Sequence, residues 1–272
     1  MTRTAQRSSA EAWDDAASGW HRSSTLIRAW LRDATQRLLD AAHLAPGAKV
    51  LDVAAGAGEQ TRDIVQRIGD RGEVWVTDLS PHILALAQDS LRSVNGAGLH
   101  FQVADAQALG MAGADFDAAI CRLGLMFCPS PLTALREMRQ ALRPGGRLAA
   151  LVFSTPEANP CIAITMRPAR RHAGLADADP FAPGSLLSLG RPGLAAQLLG
   201  DAGFGEIQVT AVAAPFHCAS VDDYVAFVRT SGSPVIEVLR HLPAARQADA
   251  WADIGRQLDR FLTAHGWVGP NG

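Results

Sequence analysis

Asp52, Gly56, Gly58 and Glu59 fall in one run, KVLDVAAGAGEQT at residues 49–61, and their types suit the holding of a small ligand. Glycines among alanines admit a positive φ and carry no Cβ. A ligand can therefore lie against the backbone where a following helix offers unpaired N–H groups. Ala54 belongs to the same turn. Asp52 before it and Glu59 after it present like charge to a diphosphate and attract a cation. The dinucleotide fingerprint G-x-G-x-x-G is also incomplete, since Thr61 stands where the third glycine belongs. Asp78 closes the run EVWVTD 20 residues after Gly58, the spacing of an acid that pairs with ribose hydroxyls. S-adenosyl-methionine, with ribose, positive charge and no phosphate, fits this set better than a nicotinamide dinucleotide does.

Those side chains need strands and turns to bring them together. Val50, Leu51 and Val53 read as a buried strand running into the turn, followed by a helix from about Glu59 to Ile68. Glu73 to Asp78 is a second strand, and Ser80 and Pro81 open a helix to about Val94. His100 to Ala104 is a third strand, with Asp105 and Ala106 at its end. Phe116 to Cys121 is a fourth strand leading to Arg122, Pro131 to Leu142 a helix, Arg147 to Phe153 a fifth strand and Gly205 to Val212 a sixth. Strands alternating with helices predict an α/β fold with a doubly wound, mostly parallel sheet. Ligands bind such sheets outside the carboxyl ends of the strands, where strand order reverses. Asp52, Gly56, Asp78, Asp105 and Arg122 all fall at or near such ends.

Three blocks, VLDVAAGAG at 50–58, VTDLSPHILALAQ at 76–88 and FDAAICRLGLMFCPSPLTALREMRQALRPGGRLA at 116–149, resemble the class I S-adenosyl-methionine-dependent methyltransferases. The likeness is greatest to the type 11 branch, which includes the ubiquinone and menaquinone biosynthesis methyltransferases and many small-molecule tailoring enzymes. It implies a Rossmann-like methyltransferase fold. By the same resemblance Asp52, Ala54, Gly56 and Gly58 belong to the cofactor-binding loop, Asp78 meets the ribose, Leu79 the adenine face, and Asp105 with the backbone of Ala106 the adenine amino group. Arg122 holds the cofactor carboxylate or contributes only its backbone. Residues 1–45 are expected to form an N-terminal helical lid, 46–153 the cofactor-binding core, and 154–272 an insertion over the site, the end of the sheet and a C-terminal helical cap. Trp13, Trp20 and His21 in the lid either contact cofactor or substrate or simply pack it onto the core. The reaction leaves a catalytic base optional; of His21, His172, His217 and His241, which lie outside the core strands, His21 is the best placed because it follows the lid tryptophans. The implied reaction moves a methyl group to oxygen, nitrogen or carbon of a small, largely apolar acceptor by in-line displacement. The alternative is a catalytically silent cofactor-binding or regulatory protein of the same fold.

Composition narrows the partners. A net charge of −2 gives no general attraction to a polyanion, although 24 of the 25 basic residues are Arg, so nucleic acid is not expected. Cys121, Cys128, Cys161 and Cys218 form no C-x-x-C pair and no zinc-ligand pattern, so no metal is expected. Residues 1–10 are polar and read as mobile, with no apolar core of signal-peptide length, and no apolar run long enough to span a membrane occurs. A cytoplasmic protein is the expectation. The end, GWVGPNG, offers no evident strand to complete the sheet. Either Ala213 to Cys218 supplies a shortened one or an edge stays open, and an open edge invites a homodimer.

Overall fold

The computed structural model describes residues 9–231 and 233–272, so residues 1–8, within the stretch read as mobile, lie outside the described residues. Two helices, α1 (Ser9–Arg22) and α2 (Ser24–Ala41), precede the alternating core of β1 (Lys49–Val53), α3 (Glu59–Ile68), β2 (Glu73–Asp78), α4 (Pro81–Leu91), β3 (Gly98–Val103), β4 (Phe116–Arg122), α5 (Pro131–Ala141) and β5 (Leu142–Leu151). The five strands form one parallel sheet in the order β3-β2-β1-β4-β5. Strand order therefore reverses between β1 and β4. This is the doubly wound α/β sheet expected from the alternation.

Helices cover both faces of the sheet, which is why β1 is apolar almost throughout. Val50 packs with Leu38, Leu39, Ile64 and Ile68 on one face, while Leu51 and Val53 pack with Phe116, Leu135 and Met138 on the other, as the two-residue period of a strand requires. Ser80 caps α4, its Oγ accepting from Ile83 N at 3.0 Å ahead of Pro81.

The second half of the chain forms a cap. It comprises α6 (Pro160–His172), then, beyond α7 (Leu194–Asp201), which instead packs against α5 in the core of the large sheet, α8 (Val221–Ser231), α9 (Ser233–Leu239) and α10 (Ala244–Leu258) with a small antiparallel sheet of β6 (Phe216–Cys218), β7 (Leu262–Thr263) and β8 (Gly266–Gly269) in the order β6-β8-β7. A third core of Phe216, Tyr224, Trp251, Ile254 and Trp267 holds it together, with Trp30 of α2 packed against it. α1 crosses both α4 and α8. At Gly19 the crossing is so close that a Cβ would stand 2.0 Å from the Thr230 carbonyl oxygen.

The structure corrects the sequence reading in three places here. Gly205 to Val212 forms no strand, and Val209 is 65% exposed, so its alternating pattern has no buried face to satisfy. The last helix of the cap expected over residues 154–272 stops at Leu258, and the chain turns back through β7 into β8. GWVG is therefore a strand after all. Burial of one residue, Trp267, whose Nε1 donates to Leu258 O at 2.8 Å, drives this pairing, and strands of two to four residues are too short to show a period.

Candidate functional site

A cavity of about 430 Å³ opens at the carboxyl ends of β1, β2 and β4. One side of its wall is polar, with Gly56, Glu59, Asp78, Asp105 and Arg122, and the other is mainly aromatic. The floor is a tight turn: Ala54, Gly56 and Gly58 have φ of 55°, 60° and 87°. Left-handed backbone costs an alanine roughly 1 kcal/mol. It is held there by close packing, for a Cβ on Gly124 would stand 2.5 Å from that of Ala54. Leu123, beside it on the cavity wall, also has a positive φ of 59°.

Gly56 lines the cavity, where a Cβ would reach within 3.3 Å of Trp20 Nε1. Gly58 does not line it; a Cβ there would meet Leu91 Cδ1 at 2.8 Å, so this glycine lets α4 pack against the turn. Asp52 is also absent from the wall. Alternation along β1 sends its buried carboxylate toward α3, where Oδ1 accepts from Gln60 Nε2 at 3.0 Å and Oδ2 from Thr61 Oγ1 at 2.6 Å. It braces the turn from behind and does not face a ligand directly.

Burial pushes the Asp52 carboxyl up to about 6, against the opposing pull of Thr61, Gln60 and Arg122. A folded-state value above the unfolded 3.8 means that the folded protein retains a proton the unfolded chain has lost, so stability falls as pH rises through this window. The shift corresponds to about 3 kcal/mol at 1.36 kcal/mol per unit. Asp52→Asn should remove that fall. The stability difference between wild type and variant, read by urea unfolding at pH 4 and pH 7, should change by about this amount. Parallel profiles would contradict it.

Asp78 sits in the cavity at the end of β2. Its Oδ2 accepts from Gly56 N and its Oδ1 from Ser80 N, both at 3.0 Å. Burial holds its carboxyl above the usual range, with the two N–H groups pulling the other way. Asp14 of α1 bonds the Ser80 hydroxyl and so docks the lid beside it. Asp105 follows β3 and accepts from Gln107 N at 2.8 Å; Leu79 and Ala106 lie on the wall next to these acids.

Glu59, the first residue of α3, carries the most telling atom. Its Oε1 accepts from Ser24 Oγ at 2.8 Å. Its Oε2 is buried, lies 3.6 Å from Arg122 Nη2 and receives no hydrogen bond. Arg122 is itself buried, with Nη1 donating to Thr35 Oγ1 at 2.9 Å. The paired charges thus leave one acceptor open on the cavity.

Trp13 lies edge-on to Phe127 at 4.9 Å and to Trp20 at 6.2 Å, and both tryptophans line the cavity. His21 does not. It lies about 100° around the helix from Trp20 and lines a separate polar groove with Arg28 and Arg62, which removes the position that made it a candidate base. Among the described residues the cavity wall carries no His and no Lys.

The sequence reading missed the far wall. Trp30, Phe153, Phe216, Tyr224 and Phe227 meet there, and Trp30 Nε1 is anchored to Ala214 O at 2.7 Å. The signal was present in α8, where Tyr224, Phe227, Val228 and Ser231 repeat at i, i+3, i+4 and i+7 and all line the cavity.

A parallel sheet with a ligand cavity at its switch point defines a Rossmann-like α/β protein. Residues 23–165 match the ubiE/COQ5 methyltransferase family, and the chain belongs to that family. It is similar to the ubiquinone/menaquinone biosynthesis C-methyltransferase UbiE of Laribacter hongkongensis, 39% identical over 116 residues that cover 43% of this chain and 47% of that protein. The chain thus spans about half the length of the curated relatives it matches. The YcgJ protein of Bacillus subtilis shares the fold with a TM-score of 0.59 at 16% identity, covering 88% of this chain and 94% of that one. The [4+2]-cyclase SpnF does so with a TM-score of 0.52 at 16% identity, covering 94% and 93%. The branch and fold expected from the three sequence blocks are borne out.

Proposed function

We propose that the protein is an S-adenosyl-methionine-dependent methyltransferase acting on a small, largely apolar acceptor. The observation that carries this reading is the buried, donorless Glu59 Oε2 beside Arg122, in one cavity with Asp78 and Asp105 and opposite an aromatic wall. Glu59 would accept from the cofactor's ammonium group and Arg122 would donate to its carboxylate. Asp78 would accept from the ribose hydroxyls, Leu79 would lie against adenine, and Asp105 with Ala106 would meet the adenine edge. Gly56 and Ala54 allow close backbone approach, and Trp13 covers the site. Asp52 and Gly58 shape the turn from outside the cavity.

Bound there, the cofactor supplies a methyl group on a positively charged sulfur, open to in-line displacement. The chain's own work is alignment and the exclusion of water by the lid, α8 and α6. Since no His or Lys lines the wall among the described residues, no role is assigned to such a base. The matched segment ends at residue 165, and the proposed acceptor side, built from Phe216, Tyr224 and Phe227, lies beyond it. Incubation with S-adenosyl-methionine and a panel of aromatic acceptors should release S-adenosyl-homocysteine together with methylated product. Cofactor binding without turnover on any acceptor would favour the silent alternative.

The proposed division is a lid at 1–45, a core at 46–153 and a cap at 154–272, working in the cytoplasm without metal or nucleic acid. No helix among the described residues is long and apolar enough to cross a membrane. The outer edge of β5, ten residues long, pairs with no strand among the described residues. We propose that two copies meet along it. Sizing in solution should give a dimer, and a clean monomer would remove this part.

A further inference from the structure

Two buried polar side chains have no part in the cofactor half of the site. Asn159, just ahead of α6, is fully buried, and Asn271, beyond β8, is nearly so. They are joined by Gly272, whose backbone is gripped from both sides. Its N–H donates to Asn159 Oδ1 at 3.0 Å, while its carbonyl oxygen accepts from Asn159 Nδ2 at 2.8 Å and from the N–H and hydroxyl of Ser154, both at 2.9 Å. Asn159 Nδ2 also donates to Thr155 O at 3.0 Å. A side-chain amide carries donor and acceptor side by side, as this two-point grip requires.

The stretch from Gly269 to Gly272 also ties the aromatic wall together. Asn271 O accepts from Ala214 N at 2.8 Å, and Ala214 O in turn accepts from Trp30 Nε1 at 2.7 Å. Ser154 follows Phe153 directly, and Phe216 lies two residues beyond Ala214. Trp30, Phe153 and Phe216 come from distant parts of the chain, yet Trp30 is stacked on Phe153 at 6.2 Å and lies 4.8 Å from Phe216. Asn271 itself lines the cavity beside them. Its Nδ2 donates to Gly269 O at 3.1 Å, and its Oδ1 has no hydrogen-bond partner among the described residues. The stretch is closely fitted at its start, where a Cβ on Gly269 would stand 2.3 Å from Trp267 Cη2.

We propose that residues 269–272 form a strap that completes the aromatic wall of the cavity, and that Asn159 is the positioning residue that latches it. Without the latch Asn271 is no longer held on the wall. The bond that fixes Ala214, and through it Trp30, goes with it. Reading this wall as the acceptor side rests on the methyltransferase proposal above; the strap does not.

The probe is naphthalene, uncharged at every pH, titrated into the full chain with S-adenosyl-methionine affinity measured on the same samples. Asn159→Asp keeps an acceptor for Gly272 N–H but, when ionised, sets a second oxygen against Gly272 O. Protonated, the introduced carboxyl again carries donor and acceptor side by side. Burial raises such a carboxyl, so it should be ionised at about pH 8 and protonated at about pH 5. The variant should bind naphthalene roughly 5- to 10-fold more weakly than wild type at the higher pH and approach wild type at the lower. S-adenosyl-methionine affinity should stay within about twofold of wild type at both. Ser154→Ala removes one of the donors to Gly272 O and should weaken naphthalene about 2- to 3-fold relative to wild type at either pH. It carries the test should the first variant unfold at the higher pH. A residue that only supports the fold would lower stability without an affinity that returns on acidification. The proposal is overturned if wild type does not bind naphthalene, if either variant binds it as tightly as wild type at about pH 8, or if the affinity lost in Asn159→Asp fails to return at about pH 5. Wild type that binds naphthalene as described but not S-adenosyl-methionine would sink the methyltransferase reading and leave the strap standing.

Discussion

Arg122→Leu should lower stability by about 3–5 kcal/mol and abolish S-adenosyl-methionine binding. The guanidinium and the Glu59 carboxylate are both almost fully buried, 3.6 Å apart. Removing the cation leaves the buried carboxylate with the Ser24 hydroxyl as its hydrogen-bond donor and without its ion-pair partner. Breaking a buried pair from one side is far more damaging than removing both partners. The double variant Glu59→Leu with Arg122→Leu should therefore recover most of the lost stability without recovering the cofactor. Urea unfolding reads the first quantity and calorimetry the second. A double variant that binds as wild type would show that the pair serves only the fold.

The second large effect is at Asp78. Asp78→Ala should weaken S-adenosyl-methionine by two orders of magnitude or more, because hydrogen bonds to a charged group contribute about 1.5–3 kcal/mol each and two ribose hydroxyls are proposed to meet it. The substitution also strips the acceptor from Gly56 N and Ser80 N, loosening the turn on which the ligand rests. Asp78→Asn should fall between, since one of its terminal atoms becomes a donor facing N–H groups. The carboxyl sits above its ordinary range and the cofactor favours its charged form. Affinity in wild type should therefore decline as pH falls toward that raised value, and Asp78→Asn should lack the decline. An identical pH profile in both proteins would contradict the role assigned to this acid.

The cofactor half of the site was legible because its signals are local. The glycine turn, the acid closing β2 and the Ser80–Pro81 helix start are each read within a few residues, and β1, β2, α3 and α4 form where those residues direct. Two of the acids exchanged parts. Asp52 and Glu59 flank the turn alike in sequence, but strand alternation sends Asp52 behind it while the first turn of α3 brings Glu59 into the cavity. His21 failed for a similar reason, since being next to Trp20 in sequence places it on another face of the helix. The aromatic wall was legible only in its α8 part, because Trp30 and Phe216 are 186 residues apart yet have ring centroids 4.8 Å apart, and no period connects them. β8 was missed because a single tryptophan, not a pattern, pulls it into place.

The most direct test is a calorimetric titration of the wild-type chain with S-adenosyl-methionine and, separately, with NADH, repeated on Glu59→Gln. Wild type should bind S-adenosyl-methionine at one site and ignore NADH, and Glu59→Gln, still folded, should bind the cofactor at least tenfold more weakly once the charge facing its ammonium is gone. NADH filling the site in place of S-adenosyl-methionine, or a Glu59→Gln protein with undiminished affinity, would contradict the claim that this cavity is built for a cationic, phosphate-free cofactor.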